Sequence, residues 1–209
     1  MTVFDLPIEA LRAVAVHVAN EKEDRYWLRG VYLKLDPHTS VAFGCNGTTG
    51  AAVSLPSFMD ITKPIEMILP AYAIPMTGAI SWLQLEVIEE IKPGVYKIEV
   101  RSAKNQPFTL ETIDAVYPNW PRLFQGANAK PRGSGNSDLI PFDPEKLAKF
   151  AKSAKMLGYN RNPGQHLRIS RRDTTALITI ASRSDFIGIC EAMELKDPET
   201  VSIPFWAMA

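Results

Sequence analysis

The chain has 209 residues, 46% of them hydrophobic, enough apolar material for a buried core in one or two domains. Its 23 basic and 23 acidic residues cancel, which argues against a protein that grips nucleic acid by bulk positive charge and leaves room only for a local basic face. With 22% charged residues and 16 prolines, the composition is that of a folded chain rather than a disordered one.

Met1 to Asp5 carries neither a basic region nor a long apolar stretch, so no secretion signal is expected, and no run has the length of a bilayer span. The expected location is the cytoplasm, with no membrane partner. The first element reads as a helix capped by Asp5 with Pro7 in its first turn. Ile8, Leu11, Val14, Ala15 and Val18 recur at helical spacing, with Glu9, Arg12 and His17 on the other side. Tyr26 to Leu35 has strand parity, Ser40 to Cys45 is a second strand, Asn46-Gly47 a tight turn, and Ala51 to Leu55 a third strand.

A second unit starts near Ile61. Pro64 to Leu69 looks extended. Pro70 to Ala79 is a poor helix, because Pro75 interrupts it and Gly78 weakens it. Strands are expected at Ile80 to Glu89, Val95 to Arg101 and Phe108 to Val116. Residues 125–138 are rich in Gly, Ser and Asn and read as a linker. A third unit then opens with a short strand, Leu139 to Phe142, and a helix capped by Asp143 with Pro144 at its first position. Leu147, Phe150, Ala151, Ala154 and Leu157 form its apolar stripe, and Gly158 ends it. Strands follow at His166 to Ser170, Ala176 to Ala181 and Phe186 to Leu195, and a tail ends in Ile203-Pro204-Phe205-Trp206. One helix and about three strands, stated three times, imply a pseudosymmetric α+β architecture of antiparallel sheets with helices on one face. A half-domain of this kind cannot bury its sheet face alone, so the third unit is expected to pack on the second or on another copy.

Several strings, in order, resemble the bacterial DNA sliding clamp, the beta subunit of the replicative polymerase. They are Arg25-Tyr26-Trp27-Leu28-Arg29-Gly30-Val31, Gly44 to Ala51, Ile68-Leu69-Pro70, Tyr117-Pro118-Asn119-Trp120-Pro121-Arg122, and Phe142 to Leu147 at the start of the last helix. The resemblance spans most of residues 6–195. It implies clamp-like half-domains, about three per chain: a clamp-like domain over 1–124, the linker over 125–138, a third half-domain over 139–195 and the tail over 196–209. The chain is short for the family, whose ring holds twelve half-domains, so a ring of that size would take four chains.

The resemblance implies a non-enzymatic processivity protein with no cofactor, a homo-oligomer around or along duplex DNA without sequence specificity, and polymerase or clamp-loader subunits as further partners. A second reading stays open: an interaction protein that mimics a clamp and binds replication partners without encircling DNA. For phosphate contacts the candidates are Lys146, Lys149, Lys152 and Lys155, which sweep about half the circumference of an ideal helix, with Arg12 on the first helix. The family's partner-peptide pocket maps onto Gly47, Thr48, Thr49, Gly50, Arg122, Leu123 and Met193. Here Thr48-Thr49-Gly50 stands where the family has His-Arg-Leu, and Glu191-Ala192-Met193-Glu194 where it has Met-Pro-Met-Arg, so an altered pocket is expected.

No catalytic pattern stands out. Cys45 and Cys190 lie in separate apolar runs, and neither they nor His17, His38 and His166 show metal-ligand spacing. Both thiols are expected to be reduced and mostly buried. The glycines of Asn46 to Gly50 form neither a phosphate-binding loop nor a dinucleotide fingerprint.

Overall fold

A computed structural model describes residues 2–103, 106–126, 142–158, 166–172, 175–181 and 183–192. The linker, the tail, Met193 and most of the short strand before the last helix lie outside the described residues.

The chain begins with a strand, β1 (Thr2–Pro7), that runs directly into helix α1 (Ile8–Ala15). Asp5 therefore does not cap α1. It sits in β1 and its carboxylate accepts a hydrogen bond from Gln84 at 2.9 Å. Pairing with a distant strand overrides the local capping signal. Residues Tyr26–Arg29 form a 3₁₀ turn rather than the start of a strand. The strands of the first unit are β2 (Gly30–Leu35), β3 (Ser40–Cys45) and β4 (Thr49–Leu55).

The second unit repeats this order. Strand β5 (Ile65–Pro70) enters a single 3₁₀ turn, Ala71–Ala73, followed by β6 (Trp82–Lys92), β7 (Val95–Ser102) and β8 (Phe108–Glu111). A short helix, α2 (Pro121–Gly126), comes next. The third unit has α3 (Pro144–Met156), β9 (Leu167–Arg172), β10 (Thr175–Ile180) and β11 (Arg183–Glu191). Asp143 caps α3 as expected, its carboxylate accepting from the Glu145 N–H at 2.8 Å.

All strand pairs are antiparallel, in a four-stranded sheet β1-β6-β7-β8 and a seven-stranded sheet β5-β2-β3-β4-β11-β10-β9. The first two units exchange their leading strands. β1 precedes α1 yet pairs with β6, the first strand after the second unit's turn, and β5 pairs with β2, the first strand after α1. The register is the same in both: Pro7 stands opposite Trp82 and Pro70 opposite Gly30, each the first residue of its partner strand. The two units thus form one pseudo-twofold domain.

The third unit packs on the first, not on the second. β11 pairs with β4 from Phe186↔Val53 to Cys190↔Thr49, and α3 lies against α1. One apolar cluster joins both sheets and both helices, including Phe4, Leu6, Leu11, Val14, Leu33, Leu85, Phe150 and Ile178. The close approach of α3 to β11 requires a glycine, since a Cβ at Gly188 would lie 2.4 Å from the Phe150 ring. A second cluster covers the other face of the seven-stranded sheet. There Phe43 stacks on Trp120 at 5.1 Å and packs edge-on to Tyr117 and Phe124.

The α1–α3 contact corrects the reading of His17. Amphipathicity places it on the solvent side, but the approach of α3 buries it completely. Its ring tilts over Phe150 with 4.5 Å between centroids. The Ser153 hydroxyl donates its hydrogen to the Ala13 carbonyl at 2.7 Å, with the Lys149 carbonyl a further acceptor at 3.1 Å. The hydroxyl is therefore an acceptor toward His17, whose Nε2 lies 3.0 Å away and donates. Nδ1 has no partner among the described residues. Burial and, secondarily, the Lys149 ammonium lower the imidazole pKa to about 3.

Candidate functional site

The seam where β4 meets β11 carries a cavity of about 390 Å³. One rim is the turn after β3. The Asn46 side-chain oxygen accepts from the backbone N–H groups of Thr48 and Thr49 at 3.1 and 2.8 Å, which closes the turn. Gly47 has φ +92°, the left-handed region that glycine enters without a steric penalty. The absent side chain also makes room for Arg25, since a Cβ at Gly47 would lie 2.7 Å from a guanidinium nitrogen. Glu23 holds that guanidinium by an ion pair at 2.7 Å.

The walls come from separate elements. Trp27 and Leu28 belong to the 3₁₀ turn, Pro118 and Leu123 to the segment crossing the sheet, and Ile189 to β11. A strand at 25–28 would have put Trp27 and Leu28 on opposite faces. The tighter turn brings residues three apart to one side, and Arg25, Trp27 and Leu28 all line the cavity. Cys45 and Thr175 complete the lining, with Glu191 at the edge. Burial raises the Cys45 thiol pKa, so it is a neutral, unreactive wall. The arrangement is mainly apolar with one cation and one carboxylate. Its size and lining suit a short peptide with bulky apolar side chains.

Of the pocket residues read from the sequence, Gly47, Thr48, Thr49, Gly50 and Leu123 line this one cavity. Arg122 is exposed in α2 and does not line it, and Met193 lies outside the described residues. The departure at Thr48-Thr49-Gly50 removes a guanidinium and an apolar wall from the turn itself. Arg25, Trp27 and Ile189 line the cavity from other elements. Sequence reasoning missed these three as pocket residues, although Arg25 to Val31 was among the strings that carried the resemblance.

The basic residues are spread differently. Lys152 and Lys155 are exposed on α3, whereas Lys146 and Lys149 are half-buried, and partial burial lowers the Lys149 ammonium. Arg12 is tied down, its guanidinium donating to the carbonyls of Pro75, Thr77 and Gly78 at 2.6, 2.7 and 3.0 Å. It clamps the loop after the second unit's 3₁₀ turn rather than presenting a free cation. α1 is otherwise nearly all buried, with only Glu9 exposed. Among the described residues, no group of three or more His, Cys, Asp and Glu side chains could hold a metal ion, and no helix is long and apolar enough to cross a membrane.

The paired, strand-exchanged units joined edge to edge match solved structures over 93% of the chain. These include the DNA polymerase III subunit beta of Pseudomonas aeruginosa, with a TM-score of 0.62 at 15% identity over 67% of that chain. The DNA polymerase sliding clamp of Bacillus subtilis gives 0.65 at 13% over 64%, and the beta subunit from Thermotoga maritima 0.65 at 12% over 66%. The fold is that of a bacterial DNA sliding clamp. The chain spans about two thirds of the length of these clamps. No family model and no curated protein matches the sequence. The likeness is therefore one of fold in a strongly diverged sequence.

Proposed function

We propose that this chain is a clamp-like accessory protein of DNA replication. It docks a short linear segment of a replication partner, a polymerase or clamp-loader subunit, in the cavity at the β4–β11 seam, and self-associates around or along duplex DNA. The observation that carries this reading is the cavity itself, where a clamp-type turn, Arg25 and five apolar walls from separate parts of the chain converge. The reading is non-enzymatic and needs no cofactor.

The test of docking is fluorescence polarisation with a labelled hexapeptide carrying two adjacent bulky apolar residues and one carboxylate. Trp27→Ala should weaken binding at least tenfold, from the loss of one buried aromatic anchor. Equal affinity of wild type and Trp27→Ala, with both proteins folded, would remove the pocket from the reading. Retention on closed circular DNA, lost on linearisation, tests encirclement.

The second reading, a clamp mimic that binds partners without encircling DNA, draws on how few free cations the first two units present on their helical segments among the described residues. α1 is buried, Arg12 is bonded to three carbonyls, and the second unit has only a 3₁₀ turn where a helix could stand. Replacing Lys146, Lys149, Lys152 and Lys155 together by Glu should abolish DNA retention under the first reading. Peptide binding without any DNA retention in the wild type would favour the mimic.

A further inference from the structure

Among the described residues, two charged side chains line the cavity at the β4–β11 seam, Arg25 and Glu191. Their charges are not equally available. The Arg25 guanidinium donates to the Glu23 carboxylate at 2.7 Å, so its charge is matched within the chain. Glu191 is exposed at the end of β11, and its carboxylate forms no ion pair with the described residues. Strand parity puts Glu191 on the same face as Ile189, a wall of the cavity. Its backbone N–H donates to the Thr48 carbonyl at 2.9 Å, which fixes Glu191 beside the rim turn. Two carboxylates, Glu23 and Glu191, against one guanidinium leave this rim net negative.

The turn itself adds acceptors rather than donors. The Thr48 and Thr49 hydroxyls each donate to the Asn46 side-chain oxygen at 3.2 Å, in addition to the backbone N–H groups of the same two residues. A hydroxyl whose hydrogen is already used meets a ligand through its lone pairs. The Asn46 N–H is used as well, donating to the Thr49 carbonyl at 3.1 Å. An anion at such a turn would need free N–H groups. Here those donors are bonded within the chain, and an unpaired carboxylate stands next to them.

We propose, resting on the docking reading above, that the segment bound in this cavity carries a cationic side chain beside its bulky apolar residues, and that Glu191 selects it. The occupant is a segment of a partner protein in which arginine or lysine flanks an apolar pair. Trp27, Leu28, Leu123 and Ile189 hold the pair, and the cation faces the acceptor-rich rim of Glu191 and Thr48. A guanidinium can offer a carboxylate two parallel N–H donors, so arginine is the better of the two. Because Glu191 is exposed, the pairing acts on specificity and salt dependence more than on total affinity.

The polarisation assay tests this with a peptide series. The labelled hexapeptide keeps its apolar pair and carboxylate and receives arginine, glutamine or glutamate directly before or directly after the pair. At one of these two positions the full chain should bind the arginine peptide about threefold more tightly than the glutamine peptide, and the glutamate peptide least, in about 50 mM salt. The order should flatten in about 500 mM salt. Glu191→Gln keeps the side-chain size and the backbone bond to Thr48, and should abolish the arginine preference. Glu111→Gln removes the same charge from β8 in the other sheet and should leave the preference intact. Equal affinity of the wild type for the arginine and glutamine peptides at both positions would overturn the proposal, while docking itself stands if Trp27→Ala still weakens both. An arginine preference that survives in Glu191→Gln would also overturn it. Binding of no peptide in the series would remove the docking reading and the cation preference together.

Discussion

The α1–α3 contact is expected to be acid-sensitive through His17. An unfolded histidine titrates near 6.5, whereas in the fold burial and then Lys149 hold His17 at about 3. The unfolded chain therefore binds the proton first as pH falls. The folded state keeps its full stability above about pH 6.5 and loses it progressively down to about pH 3. Each unit of difference is worth about 1.4 kcal/mol. Between pH 7.5 and pH 5.0 the loss from this residue alone is about 2 kcal/mol, a large part of the margin of a typical domain. The assay is urea unfolding at both pH values for wild type and His17→Gln. The glutamine amide keeps a donor for Ser153 but does not titrate. Wild type should lose about 2 kcal/mol more than His17→Gln over that interval, carboxylate titration being common to both. Equal losses in the two proteins would refute the buried, neutral imidazole.

Further outcomes follow from the same geometry. Gly188→Ala places a methyl 2.4 Å from the Phe150 ring, so it should cost about 1–3 kcal/mol in urea unfolding by forcing α3 off β11. Gly47→Ala must hold φ +92° and displace Arg25; it should destabilise the fold by about 1 kcal/mol and weaken peptide binding, read by melting and polarisation together. Asp143→Ala removes the cap on Glu145 and should cost about 1 kcal/mol, while Asp143→Asn should restore most of it.

Much of the local plan was legible. The Asn46-Gly47 turn, the Asp143 cap and most of the strands stand close to where period and turn chemistry put them, whereas residues 26–29 form a 3₁₀ turn and the strand expected from Phe108 to Val116 ends at Glu111. The pocket was partly legible too, because the Gly47 to Gly50 turn carries its own signature. Its walls were not. Trp27 and Ile189 are far apart in sequence, and only the pairing of β11 with β4 brings them to one cavity. Arg12 looked like a free cation because a side chain's partner across 63 residues leaves no trace in local spacing.

The clamp-like class was legible as a family resemblance, and by itself the sequence determined most of the strands, the Asn46-Gly47 turn and the Asp143 cap. These depend on short-range periodicity and on residues such as proline and glycine that restrict or free the backbone. Tertiary structure alone decided that the units exchange leading strands, that the third unit joins the first, and that His17 is buried under α3. Each of these is a choice of partner between strands or helices far apart in the chain. Alternating strands show which face is apolar but not which edge they will meet, because the backbone hydrogen-bonding groups along an edge are the same whatever the side chains.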